Sequence, residues 1–267
     1  MNKIAFIGAG NMASAIVGGI ISSGLTSAEN IVLFDKNENQ YNRFDNSCVH
    51  AKSIEEAVVA SDYVFISVKP QVAKEVLSEI QSINDYQSKT FVSICAGITI
   101  SSIESYINNA RIIRAMPNTP LLIGHGVTAL CKNSNVSSED FDFIKQVFAS
   151  SGFVSTISEE DMNSVTAITG SSPAYAYLFI KSIYESAKKL GFNYDFTVEM
   201  ICKTVIGASQ MILNSSSTID ELIQMVKSPN GTTEKALNVL NENNFEAIIH
   251  DAMDACAKRA DELSKSI

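Results

Sequence analysis

The first fifteen residues constrain the fold more than any other stretch. Lys3-Ile4-Ala5-Phe6-Ile7 is a short, mostly apolar run of strand formers, broken at Gly8-Ala9-Gly10. Asn11-Met12-Ala13-Ser14-Ala15 then opens a helical pattern. Gly8 permits a tight turn, Gly10 lets the backbone approach a pyrophosphate, and the small Ala13 allows helix and strand to pack closely. The free N–H groups at the helix start, with the positive end of its dipole, attract an anion. An ordinary βα turn with no ligand uses similar glycines. The strand before and the helix after are what favour a dinucleotide site.

The chain has 267 residues, enough for one large or two ordinary domains with a sizeable core. Its 46% hydrophobic and 18% charged content is that of a globular protein. A net charge of −9 disfavours nucleic acid or an anionic membrane surface as partner. The five cysteines, Cys48, Cys95, Cys131, Cys202 and Cys256, are scattered with no CxxC, which reads as reduced thiols and a cytoplasmic setting. His50, His125 and His250 lie far apart in sequence, so no metal site is expected. The first strand begins almost at Met1, which argues against a signal peptide, and no apolar run approaches the roughly 18 residues of a membrane span. Apolar enrichment without a span points to a large subunit interface.

Strand and helix patterns then alternate. Ile31–Phe34 is the second strand and ends at Asp35-Lys36. In a dinucleotide unit this end meets the adenosine ribose: an acid favours NAD, a nearby cation the 2′-phosphate of NADP, and this chain has one of each. Ser53 caps a short helix over 54–60. Tyr63–Val68 is a buried parallel strand running into Lys69, Pro70 and the next helix. Thr90–Ile94 is a strand followed by Cys95-Ala96-Gly97, small enough for a bound ring to approach, then a helix over Ile100–Tyr106. Arg111–Ala115 leads into the stiff Met116-Pro117-Asn118-Thr119-Pro120 loop. Val127–Cys131 and Phe153–Thr156, with a helix over 139–150 between them, complete a doubly wound sheet.

From Glu159 strands give way to helices, which places a domain boundary near Ser158: 1–158 is the sheet domain and 159–267 the helical one. Helices are expected over 173–190, closed by Gly191, and then over 195–214, 219–226, 231–240 and 245–263. Several are apolar on more than one stripe, so this part should pair with a second copy of itself. Thr169-Gly170-Ser171-Ser172-Pro173-Ala174 and Ser228-Pro229-Asn230-Gly231-Thr232-Thr233 each place hydroxyls and free N–H groups before a helix. Each alone reads as an N-cap; the two together suggest a carboxylate site.

At these residues the chain resembles the Δ1-pyrroline-5-carboxylate reductase family. The matching segments are IGAGNMA at 7–13, SVKPQ at 67–71, ICAGITISSIE at 94–104, RAMPNTP at 114–120, TGSSPAY at 169–175 and SPNGTTEKAL at 228–237. The resemblance implies an α/β fold, with an N-terminal Rossmann-type doubly wound sheet and a C-terminal all-α dimerisation domain. It implies a homodimer, often built into decamers, whose active site borrows the partner's helical domain. It implies NADP or NAD as hydride donor, with a small-molecule partner, pyrroline-5-carboxylate or proline. Cofactor contacts carry over to Ile7, Gly8, Ala9, Gly10, Asn11, Met12, Ser67, Val68, Lys69, Pro70, Ile94, Cys95 and Ala96, joined by Asp35 and Lys36 at the ribose end. Substrate contacts carry over to Ser171, Ser172, Pro173, Val226, Asn230, Gly231, Thr232 and Thr233, with Thr233 near the imine nitrogen as the catalytic candidate.

Five positions depart from the family: Thr169 stands where serine is usual, Ser172 and Asn230 where glycine is usual, Ile54 where asparagine is frequent, and Asp35 weakens the family's common NADPH preference. Three alternatives stay open at this point, one of them a purely structural oligomer that would bind no dinucleotide. A β-hydroxyacid dehydrogenase would need a catalytic lysine after the first glycine-serine loop of the helical part, where Lys181 is the nearest candidate. A non-catalytic nucleotide-sensing module would bind the dinucleotide without turnover.

Overall fold

The computed structural model describes residues 2–264; Met1 and 265–267, the outer ends of the two expected domains, lie outside that range. The strands are β1 Ile4–Ile7, β2 Ile31–Phe34, β3 Val49–His50, β4 Tyr63–Ile66, β5 Thr90–Ser93, β6 Arg111–Pro117, β7 Gly126–Lys132 and β8 Gly152–Thr156. They form one sheet in the order β3-β2-β1-β4-β5-β6-β7-β8. Pairing is parallel from β3 to β6, antiparallel between β6 and β7, and parallel again between β7 and β8. Ile7 pairs with Phe34 on one side and Ile66 on the other, so the ends of β1, β2 and β4 are level. The chain leaves β1 towards β2 and β3 and returns to place β4 on the opposite side. That reversal is the switch point at which open sheets of this kind bind ligands.

The apolar runs follow from burial on both faces. Ala5 and Ile7 of β1 enter a core shared with α2 (Ile54–Val59), α3 (Pro70–Gln81) and α4 (Ile100–Glu104). Ile4 and Phe6 point the other way, into a core shared with α1 (Asn11–Ser22) and α5 (Ser138–Ala149). Phe6 stacks on Phe65 at 4.5 Å between centroids, and Phe65 meets Phe148 of α5 at 6.0 Å. The helix starts use their own side chains: Ser53 Oγ accepts from Glu56 N–H at 3.1 Å, and Ser137 Oγ from Asp140 N–H at 3.0 Å. Ile54, where the family often has asparagine, is wholly buried in the first core.

Beyond β8 the helices are α6 Met162–Val165, α7 Ser172–Lys189, α8 Thr197–Asn214, α9 Ile219–Val226, α10 Thr232–Glu242 and α11 Phe245–Ser264. Gly191 closes α7 at φ +83°, and Thr218 with Glu221 forms a capping box on α9. Three details differ from the expectations. β6 runs on through Met116 and Pro117, and a 3₁₀ turn begins at Thr119, which shortens the expected stiff loop. The two-residue β3 is too short to show a period. The loop expected at Thr169–Ser171 is instead a π-helical turn, Thr166–Gly170, that runs on from α6.

The chain forms two compact units. One runs up to Pro173 and resumes at Ala255; the other is Ala174–Asp254. Helices take over near Ser158, as composition indicates, but the packing divides later. Several contacts hold these segments on the first unit. Asn163 Nδ2 donates to Asp261 Oδ1 of α11 at 2.8 Å, and Gly97 faces Leu263 so closely that an added Cβ would lie 3.1 Å from it.

The second unit is packed differently. None of the residues of α9 and α10 is buried, and the same holds for α7. Leu178, Phe179, Ile183, Leu190, Phe245 and Ile248 line an apolar groove of about 750 Å³.

Candidate active site

The glycine turn is held where three strands end. Gly8 lies at φ +100° and its N–H donates to Phe34 O at 2.8 Å. A Cβ at this position would sit 2.7 Å from Ser67 O, so both backbone conformation and space require glycine. Ser67 Oγ reaches back to Ile7 O at 3.0 Å and Gly8 O at 2.6 Å. Gly10 precedes α1 with no side-chain cap, and a Cβ built on it would meet nothing within 4 Å. The N–H groups of Asn11 and Met12 open the helix and have no intrahelical acceptor. This open, donor-rich cradle fits the pyrophosphate of a dinucleotide.

The neighbouring strand ends extend the floor. Lys69, exposed, takes an extended conformation ahead of Pro70, the first residue of α3. Ile94 N–H donates to Ile66 O at 3.1 Å, tying β5 to the end of β4. Cys95 Sγ lies 3.2 Å from Val68 O and 3.4 Å from Ile66 O. Burial pushes its thiol up to about 11, so it stays neutral and donates to those carbonyls. Cys95 therefore fixes the Ser67–Val68 backbone and has no thiolate character. Ala96 follows, half-buried, before Gly97 at φ +76°. The structure thus brings Ile7–Met12, Ser67–Pro70 and Ile94–Ala96 together at the switch point.

At the ribose end the structure changes the reading of the charges. Asp35 Oδ2 accepts from Ala9 N–H at 2.8 Å, and Oδ1 from Asn37 N–H at 2.9 Å. One carboxylate oxygen braces the glycine turn and the other closes Asp35's own loop. Lys36 is well exposed and pairs with Glu75 at 3.5 Å.

The Ser171–Pro173 segment also differs from the expectation of free donors. Ser171 N–H closes the π turn on Thr166 O at 2.8 Å and is not available to a ligand. The Ser171 hydroxyl lies 3.2 Å from Cys256 Sγ. Ser172 and Pro173 open α7, both half-buried. Asn118 of the stiff loop is buried; it donates to Thr169 O at 2.9 Å and accepts from Val127 N–H at 2.8 Å. That loop is a bolt between β7 and the π turn.

In the second unit, α9 ends at the exposed Val226, and the segment before α10 folds on itself. Asn230 sits at φ +57°, the left-handed conformation that glycine takes freely and asparagine tolerates next best. Gly231 N–H donates to Ser228 O at 2.9 Å, and a Cβ on Gly231 would collide with Ser228 Oγ and O. Glu234 turns back to accept from Asn230 N–H at 2.8 Å and to pair with Lys227 at 3.5 Å. Gly231 supplies no side-chain cap, which leaves the first N–H groups of α10, at Thr232 and Thr233, beside the Thr233 hydroxyl.

One cluster escaped the sequence reading. Arg114 of β6 is 3% exposed and donates to Glu159 Oε1 at 2.9 Å and Asn163 Oδ1 at 2.7 Å. Glu159 also accepts from Ile100 N–H at 2.9 Å and from Cys131 Sγ at 2.7 Å. Burial and the Glu159 carboxylate push the Cys131 thiol well above its usual value, so it too stays protonated. The signal was an arginine inside an apolar strand, which cannot be buried without a partner; the partner's identity was not legible.

A doubly wound sheet with an anion cradle at its switch point, continued by a helical unit with a second donor-rich loop, defines a dinucleotide-dependent oxidoreductase of the two-part kind. Residues 3–97 match the family model described as NADP oxidoreductase, coenzyme F420-dependent, and residues 159–263 match that of pyrroline-5-carboxylate reductase dimerisation. The chain is 36% identical to the pyrroline-5-carboxylate reductase of Escherichia coli over 99% of both chains. It is 35% identical to that of Pseudomonas aeruginosa, covering 99% of this chain and 98% of that one. The crystal structure of a pyrroline carboxylate reductase from Plasmodium falciparum with NADP bound superposes with a TM-score of 0.91, at 31% identity and 98% coverage of each chain. This chain belongs to the pyrroline-5-carboxylate reductase family.

Proposed function

We propose that the protein reduces 1-pyrroline-5-carboxylate to L-proline with NADPH as the preferred donor. The observation that carries this reading is full-length similarity to reductases of that name together with an intact glycine cradle and an intact Ser228–Thr233 loop. When bound, the nicotinamide supplies a hydride to the C=N carbon, and the ring nitrogen keeps the proton of the iminium as the amine of proline. A protonated imine is already electrophilic, so the chain's task is placement and polarity. Gly8, Gly10 and the start of α1 hold the pyrophosphate, and the Ser67–Pro70 and Ile94–Ala96 backbones form the floor for the ring. The N–H groups at the start of α10 hold the substrate carboxylate, and the Thr233 hydroxyl orients the ring nitrogen. Asn230, in glycine's conformation, preserves that loop; Ser172 adds a hydroxyl beside the start of α7.

The apolar groove of the second unit supports a homodimer as the working assembly, on which a decamer can be built. The net charge of −9 argues against a nucleic-acid or anionic-membrane partner, and the five free cysteines support a cytoplasmic protein. Among the described residues, no helix is long and apolar enough to cross a membrane. The test is a spectrophotometric assay of NADPH and NADH oxidation with pyrroline-5-carboxylate, with proline identified as product. Substrate-dependent oxidation is expected; its absence with both cofactors removes the proposal.

A further inference from the structure

The segment after β2 is built to present one cation beside the dinucleotide cradle. Residues Glu38–Arg43 form a 3₁₀ turn capped by Asn37, whose Oδ1 accepts from Asn39 N–H at 3.2 Å. Tyr41 pins the turn to the strand end: its hydroxyl accepts from Asp35 N–H at 2.9 Å and donates to Asp35 O at 3.2 Å. The Tyr41 ring stacks on His50 of β3 at 4.2 Å. Arg43 closes the turn. Its carbonyl accepts from Ser14 Oγ of α1 at 3.3 Å, and its guanidinium donates to the side chain of Asn11, the first residue of α1.

We infer that Arg43 binds the 2′-phosphate of NADPH and sets the cofactor preference, an assignment that rests on the reductase reading above. Three observations carry it. The acid at the ribose-reading position, Asp35, already accepts one backbone N–H group on each oxygen, which reduces what it can offer the ribose diol. Of the two cations nearby, Lys36 is paired with Glu75. Arg43 is exposed, and among the described residues no carboxylate pairs with it; only the neutral Asn11 amide does. A planar guanidinium held at the edge of an anion site is suited to a terminal phosphate, which it can grip through two N–H groups. The pyrophosphate itself is served by the α1 start, so the extra charge is matched to the extra phosphate.

The test compares Arg43→Ala and Arg43→Lys with the unaltered full-length enzyme, in binding titrations and steady-state kinetics with NADPH and NADH. The KM and Kd for NADPH should rise about 10-fold or more in Arg43→Ala, with NADH changed less than about 2-fold and kcat nearly kept. Arg43→Lys should recover part of the loss. Adenosine 2′,5′-bisphosphate should compete with NADPH on the unaltered enzyme and lose that competition in Arg43→Ala. Equal weakening of both cofactors, or of neither, overturns the assignment. Failure of the unaltered enzyme to bind either dinucleotide would instead strike the reductase reading.

Discussion

Phe65 and Ile248 are both large apolar side chains on regular elements, yet they live in different physical worlds. Phe65 is 0% exposed, between the rings of Phe6 and Phe148, whereas Ile248 is 58% exposed on α11. The same contrast separates the two units. The sheet buries apolar side chains on both faces under five helices, and its core is complete within one chain. In the helical unit, Leu178, Leu190, Leu213 and Val226 are all more than 60% exposed. Helices with apolar residues on several stripes cannot cover one another when so few pack together. The lesson is that the first unit is stabilised by its own fold, and the second, on the proposed dimer, by another copy.

Four substitutions test that contrast. Phe65→Ala should have the largest effect, about 3–5 kcal/mol of lost stability from the cavity it leaves, read by denaturant unfolding and independent of protein concentration. Arg114→Ala should follow at about 3 kcal/mol, since it strips Glu159 of its counter-charge where strand and helical chain meet. Glu159 keeps the Ile100 N–H and the Cys131 thiol, which holds the loss near the low end. Leu178→Glu should leave the sheet unit folded and weaken self-association about 10- to 100-fold, seen by light scattering. Its activity should recover at high protein concentration; a concentration-independent loss would erase the distinction between the units. Smallest is Thr233→Ala, which should fold and assemble normally but lose about 10-fold in kcat/KM, the size of one hydrogen bond to the reacting centre. Unchanged kinetics would remove Thr233 from the chemistry.

Much of this was legible in the sequence because it is local. The glycine turn shows as a strand, two glycines and a helix in a row, and the cap at Ser53 shows as a hydroxyl three residues before an acid. α9 falls where periodicity places it, at Ile219–Val226. Illegible features join residues far apart in the chain. Asp35 reads as a ribose acid until its distance from Ala9 N–H is known, and Arg114 has no partner until Glu159 and Asn163 are found beside it. Arg43 carries no motif at all; only the 3₁₀ turn brings it to Asn11.

By itself, then, the order of residues determined the strand and helix types, the cradle, the two-part design and the family resemblance. These depend on periods and turns that reach only a few positions along the chain. The partner of each buried charge, the brace on the glycine turn and the return of α11's end to the sheet unit were decided by tertiary structure. Such pairings depend on which distant atoms share a low-dielectric space, and no spacing along the chain encodes that.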